Sequence, residues 1–170
     1  MDEVKNASIP LNRDRFMRQL LGQLAETIED VAGLEHAEGL IAMVGQNMGD
    51  SINRAYKDAL DVGRLDLEQV AAVLVDLKRR IEGDFYLLEL SDQKIILGNR
   101  RCPFGGHANG RPALCMMTSN VFGVITAENN GYARVEIKEA IANGDAQCRV
   151  EVSLDPSEEG PGREYFVADP

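Results

Sequence analysis

An α+β domain, with N-terminal helices packed on a mainly antiparallel sheet and one further helix, is predicted by three observations. Apolar residues recur at helical spacing up to Gly83, the period drops to two after it, and residues 113–128 form a long apolar run among the later strands.

Asn12 is a cap for a first helix carrying Phe16, Leu20, Leu24, Ile28 and Val31 at near four-residue steps, with Gly33 as its stop. A second helix is expected over residues 35–61, with Leu40, Ile41, Val44, Met48, Ile52 and Tyr56 on one side. Gly45 and Gly49 share one face of it and mark a close crossing with a neighbouring helix. The third helix starts at a capping box, Asp66 with Gln69, and continues through Leu67, Val70, Val73, Leu74, Leu77 and Ile81. Lys78, Arg79 and Arg80 fall in its last turn, where cations complement the helix dipole, and are read as solvated.

Phe85–Leu90 and Lys94–Gly98 around Ser91-Asp92-Gln93 read as a β-hairpin. Residues 99–112 form a glycine-rich loop holding Cys102 and His107. A buried helix over residues 113–128 ends at Asn129-Asn130-Gly131. Strands are expected at residues 132–137, 149–154 and, at the edge, 164–167. The organisation is a flexible lead (1–11) and one domain (12–170), whose helical half (12–83) precedes a mixed half (84–170) with the cysteines.

Composition bounds the function. The 170 residues are 44% hydrophobic and 27% charged, as in ordinary globular domains. A net charge of −10 disfavours direct nucleic-acid binding, which needs a clustered basic face, and disfavours anionic membranes. With no apolar spanning run, no signal-peptide pattern and an odd number of cysteines, the expected compartment is the cytoplasm.

All three cysteines lie in the C-terminal half, with twelve residues between Cys102 and Cys115 and thirty-two between Cys115 and Cys148. Thiolates are soft ligands, and His107 stands near them in sequence, so the set is a candidate metal site for zinc or an iron–sulfur cluster. Three buried small hydrophobes explain the same residues equally well. Phe104, Met116, Met117, Phe122 and Tyr132 are candidates for an apolar ligand pocket beside them, against a plain core role. Catalysis is disfavoured. The only histidines are His36 and His107, the latter in a glycine loop, and neither a phosphate-loop ending nor a dinucleotide fingerprint occurs.

The runs Cys102-Pro103-Phe104-Gly105, Leu114 to Gly123, Gly131-Tyr132-Ala133 and Ile141 to Asp145 with Cys148 resemble the methanogen output domain family. Leu74 to Ile81 before Gly83-Asp84-Phe85-Tyr86 extends the resemblance across most of the chain. That family is related to the 4-vinyl-reductase-type small-molecule-binding domains. The resemblance implies a sensor or output module, often dimeric, and a structural zinc held by cysteines and a carboxylate in related phenol-responsive sensors. Cys115 and Cys148 match two of those positions, whereas the third is Ala140 here. Cys102 is then the substitute, with His107, Glu136 or Glu139 as fourth ligand. The cysteine spacing also looks like the cluster-binding ends of some winged-helix iron–sulfur regulators.

The expectation is a non-enzymatic, cytoplasmic signalling domain. It would be a homodimer built through the N-terminal helices, with a protein partner and any effect on transcription exerted through that partner. The alternatives are a hydrocarbon-type ligand-binding protein with structural cysteines, and a thiol-dependent or reductase-like enzyme.

Overall fold

The computed structural model describes residues 12–110 and 113–167; the proposed lead at residues 1–11 lies outside them. Helices α1 (Arg13–Ala32), α2 (Leu34–Leu60) and α3 (Leu67–Arg80) precede the hairpin β1 (Phe85–Leu90) and β2 (Lys94–Asn99). A short 3-10 turn (Gly105–Ala108), helix α4 (Ala113–Asn130), β3 (Tyr132–Glu139), β4 (Cys148–Ser153) and β5 (Arg163–Phe166) follow. The five strands form one antiparallel sheet in the order β1-β2-β4-β3-β5.

The start signals act as the sequence suggests. The Asn12 side chain accepts a bond from Arg15 N at 2.8 Å. Both halves of the Asp66–Gln69 capping box form, at 2.8 and 2.9 Å. Helix α4 continues two residues beyond the expected end, and Gly131 then leaves it at φ +95°.

The elements stack in layers. Alternate sheet residues Phe85, Ile95, Leu97, Ala133, Val135, Val150, Val152 and Tyr165 face the helices. Val70, Leu74 and Leu77 of α3 and Val121, Phe122, Val124 and Ile125 of α4 meet them. Helix α4 is the central member, packed between the sheet and α2. A Cβ on Gly45 would stand 2.5 Å from Asn120 Cβ, and one on Gly49 would stand 2.8 Å from Val124 Cβ. These glycines therefore serve an intrachain crossing, as their spacing suggests, and do not contribute to a subunit interface. On the other side of α4, Gly123 lies beneath the Tyr165 ring, whose hydroxyl is 2.9 Å from Ser119 Oγ. Buried Asn129 ties the layers together: it bonds Asn53 of α2 at 2.8 Å and accepts from Leu65 N at 2.9 Å.

Helix α1 departs from expectation. Phe16, Leu20, Leu24 and Val31 are all exposed, and the side turned inward is Gly22 and Ala25. The opposite face of the sheet is polar, with Lys138 between Glu136 and Glu151 at 3.3 Å each. No helix among the described residues is long and apolar enough to cross a membrane.

Gly123→Ala drives a methyl group into the Tyr165 ring. It should cost about 1–3 kcal/mol by overpacking. Gly39→Ala, in open space on α2, should instead stabilise by roughly 0.5–1 kcal/mol. Urea denaturation of the two variants checks the pair.

Candidate functional site

Cys148 opens β4, and its partner across the ladder is Asn99 at the end of β2. Both residues share the helix-facing side of the sheet with Val150 and Leu97, because side chains alternate along each strand. The loop after β2 brings Cys102 to the same end, and the first two turns of α4 supply Cys115 and Thr118. All three cysteines line one cavity of about 30 Å³ with Phe85, Phe104, Leu114 and Ile137. Ala140, where the family resemblance leads one to expect a third cysteine, lines it too.

The Cys148 sulfur accepts from Asn99 Nδ2 and from Ile141 N, both at 3.5 Å. Burial pushes the Cys115 thiol up to about 11, reinforced by the two neighbouring cysteines. Burial also raises Cys102. These two thiols are therefore held protonated at neutral pH.

The residue that the sequence reading misplaced is Lys78. Arg79 and Arg80 are exposed and pair with Asp76 at 2.5 and 2.6 Å. With Tyr56 donating to Asp76 at 2.7 Å, they hold that carboxyl down at about 2. Lys78 turns the other way and is only 3% exposed. Its Nζ donates to Thr118 Oγ1 at 2.7 Å and lies 5.5 and 5.2 Å from the Phe85 and Phe122 ring centroids. The ionisable groups that act on it among the described residues are Cys102, Cys115 and Cys148, with no carboxylate. Burial lowers its pKa from 10.5 to about 8, partly opposed by those thiols. The sequence carried a signal for this. Lys78 stands four residues after Leu74 and seven after Ala71, on the apolar stripe of α3.

The other candidate residues separate. Phe104 lines the chamber, whereas Phe122 is core, packed edge-on against Phe85 with centroids 5.4 Å apart. Met116 and Met117 pack towards the Ala25–Ile41–Leu114 cluster below α1 and α2. Tyr132 points to the other face of the sheet, where it meets Phe166 and donates to Glu164 at 2.7 Å. Alternation turns Glu136 away from Cys148, and the bulge between Ile137 and Glu139 sets Glu139 opposite outward-facing Arg149, so neither serves as a fourth ligand in this arrangement. The His107 backbone lies in the 3-10 turn, and its side chain is outside the described residues. Among the described residues, no group of three or more His, Cys, Asp and Glu side chains is placed to hold a metal ion. The described side chains of the chamber thus make no tetrahedral metal set, and a buried ammonium stands beside it.

The family model of methanogen output domain 1 matches residues 16–153, and the chain belongs to that family. No curated protein matches it by sequence. Its fold is similar to that of the phenol-responsive sensory domain of the transcription activator PoxR with phenol, with TM-score 0.65 and 16% identity, covering 86% of this chain and 76% of that one. An Fe(II) unliganded H-NOX protein from K. algicida is similar at TM-score 0.59 and 13% identity, over 89% and 78% of the two chains. Trafficking protein particle complex subunit 3 from Naegleria fowleri, covalently bound to palmitic acid, is similar at TM-score 0.55 and 13% identity, over 83% and 96%.

A thiol held at about 11 rather than 9.0 presents about a hundredfold less thiolate near pH 8. Iodoacetamide should therefore label Cys115 far more slowly in the native protein than in urea, measured by peptide mass spectrometry. Equal native and denatured rates would contradict the buried placement.

Proposed function

We propose that this chain is a signalling sensor module without catalysis of its own, whose input is read at the three-thiol chamber beside Lys78. One observation carries the reading: a buried ammonium, bonded to Thr118 and without a carboxylate partner among the described residues, stands beside a small cavity lined by three cysteines from three separate segments. A buried uncompensated charge is costly, and strongly perturbed groups of this kind gather at functional sites. The shift from 10.5 to about 8 corresponds to roughly 3 kcal/mol of destabilisation at neutral pH. Apolar residues would fill the same space without that cost.

Membership in an output-domain family supports a signalling role, and the PoxR domain of similar fold is itself a sensory domain. A non-catalytic role is supported by the high thiol pKa values, since the thiolate is the nucleophile. The cavity volume admits about one or two water-sized guests. Chemistry at the thiols or protonation of Lys78 suits this space better than docking of an aromatic ring. Lys78 belongs to α3, Cys115 and Thr118 to α4, and Cys148 to β4, so a change of charge in the chamber acts on three elements at once. A module of this kind works by biasing two arrangements of those elements, which a protein partner then reads.

The test exploits proton linkage. The folded-state pKa of Lys78 lies below its unfolded value, so between about pH 8 and 10.5 the unfolded chain holds the extra proton and stability rises with pH. Cys115 acts in the opposite sense. Its raised pKa gives stability that is full below pH 9.0 and is lost as pH rises towards about 11. The parent should gain stability from pH 7 to pH 9, and Lys78→Met should be more stable at pH 7 and lose that gain. Parallel pH profiles for the two proteins would remove the basis of the reading. Metal analysis on protein purified without oxygen is the second arm. Stoichiometric zinc, or the visible absorbance of an iron–sulfur cluster, would replace the thiol reading with a metal-dependent one.

A further inference from the structure

We infer that the open edge of β1, with the groove between it and α3, is a docking surface for an extended segment of a partner protein. The segment adds as a strand antiparallel to β1, with apolar residues at alternate positions and a lysine or arginine ahead of them.

The backbone is the first argument. β1 is the outer strand of the sheet, and among the described residues no strand lies beyond it. Asp84 bonds to Arg100 across the ladder, so the hydrogen-bonded pair two residues on is Tyr86 with Gly98. Phe85 and Leu87 therefore direct their N–H and C=O groups to the open side. Natural sheets blunt such an edge with charge or proline. The opposite edge does so: β5 has four residues, begins with Arg163 and Glu164, and follows Gly160-Pro161-Gly162. β1 instead carries Leu87 and Leu88 in succession, 43% and 46% exposed. Its one charge, Glu89, leans to Lys94 of β2 at 3.5 Å.

Side-chain parity is the second. Phe85 faces the helices, and strict alternation would set Leu87 and then Glu89 on that side. The bulge between Leu87 and Glu89 adds one residue, so Leu90 packs towards the helices in place of Glu89. The helix-facing side of the edge is thus apolar from Phe85 to Leu90. Opposite it, α3 presents Glu68, Ala71, Ala72, Val75 and Arg79 at helical spacing, across a groove of about 630 Å³. From Glu68 to Arg79 the helix rises about 17 Å, the reach of about five extended residues. A strand added to β1 continues its pleat, so every second side chain enters this groove.

Charge fixes the direction and the flanking residue. The groove shares Glu68 and Leu90 with a second cleft at the hairpin turn, which Asp92 lines. Among the described residues neither Glu68 nor Asp92 has an ion-pair partner, whereas Arg79 at the far end is already bound to Asp76. β1 runs towards that turn, and antiparallel pairing, the more stable mode per residue, starts the incoming strand there. A cation ahead of the apolar residues then meets two unpaired carboxylates, on a chain of net charge −10. A helical partner would leave the Phe85 and Leu87 backbone groups unbonded, which disfavours a helix as the occupant.

A display library of random peptides, selected against the whole protein and counter-selected against its Leu87→Lys variant, supplies the probe. Enriched peptides should carry apolar residues at every second position after a basic one. Binding of such a peptide should slow amide exchange at Phe85 and Leu87, read by NMR, and leave Tyr86, already in the ladder, unchanged. N-methylation of alternate peptide residues should weaken binding about a hundredfold in one parity and hardly at all in the other. Ala72→Trp, at an exposed position, and Glu68→Lys with Asp92→Lys should each weaken it about tenfold while circular dichroism is unchanged. No enrichment, enriched peptides of helical period, indifference to N-methyl parity, or protection away from β1 would each overturn the proposal. Phe85 and Leu87 amides protected in the free protein and released on dilution would place a second copy on the edge, and would overturn it as well. The substituted residues lie outside the chamber, so their outcome is independent of the Lys78 pH profile.

Discussion

The close approach of α4 to its two neighbours is the constraint on which the rest of the structure depends. A helix between a sheet and a second helix layer needs apolar side chains all round, and a backbone that can come near on both sides. The chain supplies Phe122, Val124 and Ile125, with glycines at the contact points: Gly45 and Gly49 on α2, and Gly123 of α4 itself beneath Tyr165. Dense packing there leaves little slack. The first turn of α4 is therefore held against the ends of β2 and β4, and the chamber lies at that junction.

That same packing makes Lys78 informative. The last turn of α3 offers three consecutive cations, and two of them reach water and Asp76. Helical periodicity sends the third inward between Phe85 and Phe122, where one hydroxyl and two ring faces stand in for a hydration shell. An aromatic box eases the burial of an ammonium without neutralising it. Among the described residues the thiols are the groups acting on Lys78 that can supply a negative charge, and burial resists the ionisation of Cys102 and Cys115. Lysine and cysteines thus each oppose the charging of the site from water, while ionisation of one would favour ionisation of the other.

Much of the architecture was legible because local signals and tertiary demands agree. The capping box at Asp66, the stop at Gly33 and the change of period after Gly83 each mark a boundary whose chemistry is local. The convergence of the cysteines was only a conjecture, since ladder register brings Cys148 opposite Asn99 and loop course sets Cys102. Tyr132 and Glu136 were misassigned because strand parity decides which face a residue joins, and parity is fixed only once the register is known. Lys78 was misassigned for a different reason. Reading it within a basic triplet hid its place on the apolar stripe. For α1 the periodicity was legible, but the side it buries within the chain was not, because a stripe marks what is apolar and does not say what covers it.

The chamber and the outward hairpin face are joined by a short run of packing. Leu114 closes against Ala25 of α1 and Ile41 of α2, and the next residue, Cys115, lines the chamber with Leu114 itself. Arg18 of α1 pairs with Glu82, just past the end of the helix that carries Lys78, at 2.6 Å. A displacement of the first turn of α4 or the end of α3 is therefore met by α1, whose apolar stripe faces outward. Proximity alone does not establish coupling, which needs an element with two arrangements that both sites bias. If chamber chemistry shifts the position of α1, linkage requires anything that favours one position of α1 to alter the chamber equilibrium by the same factor. The pKa of Lys78 would then differ between the two arrangements, which joins the chamber to α1 in one measurable quantity.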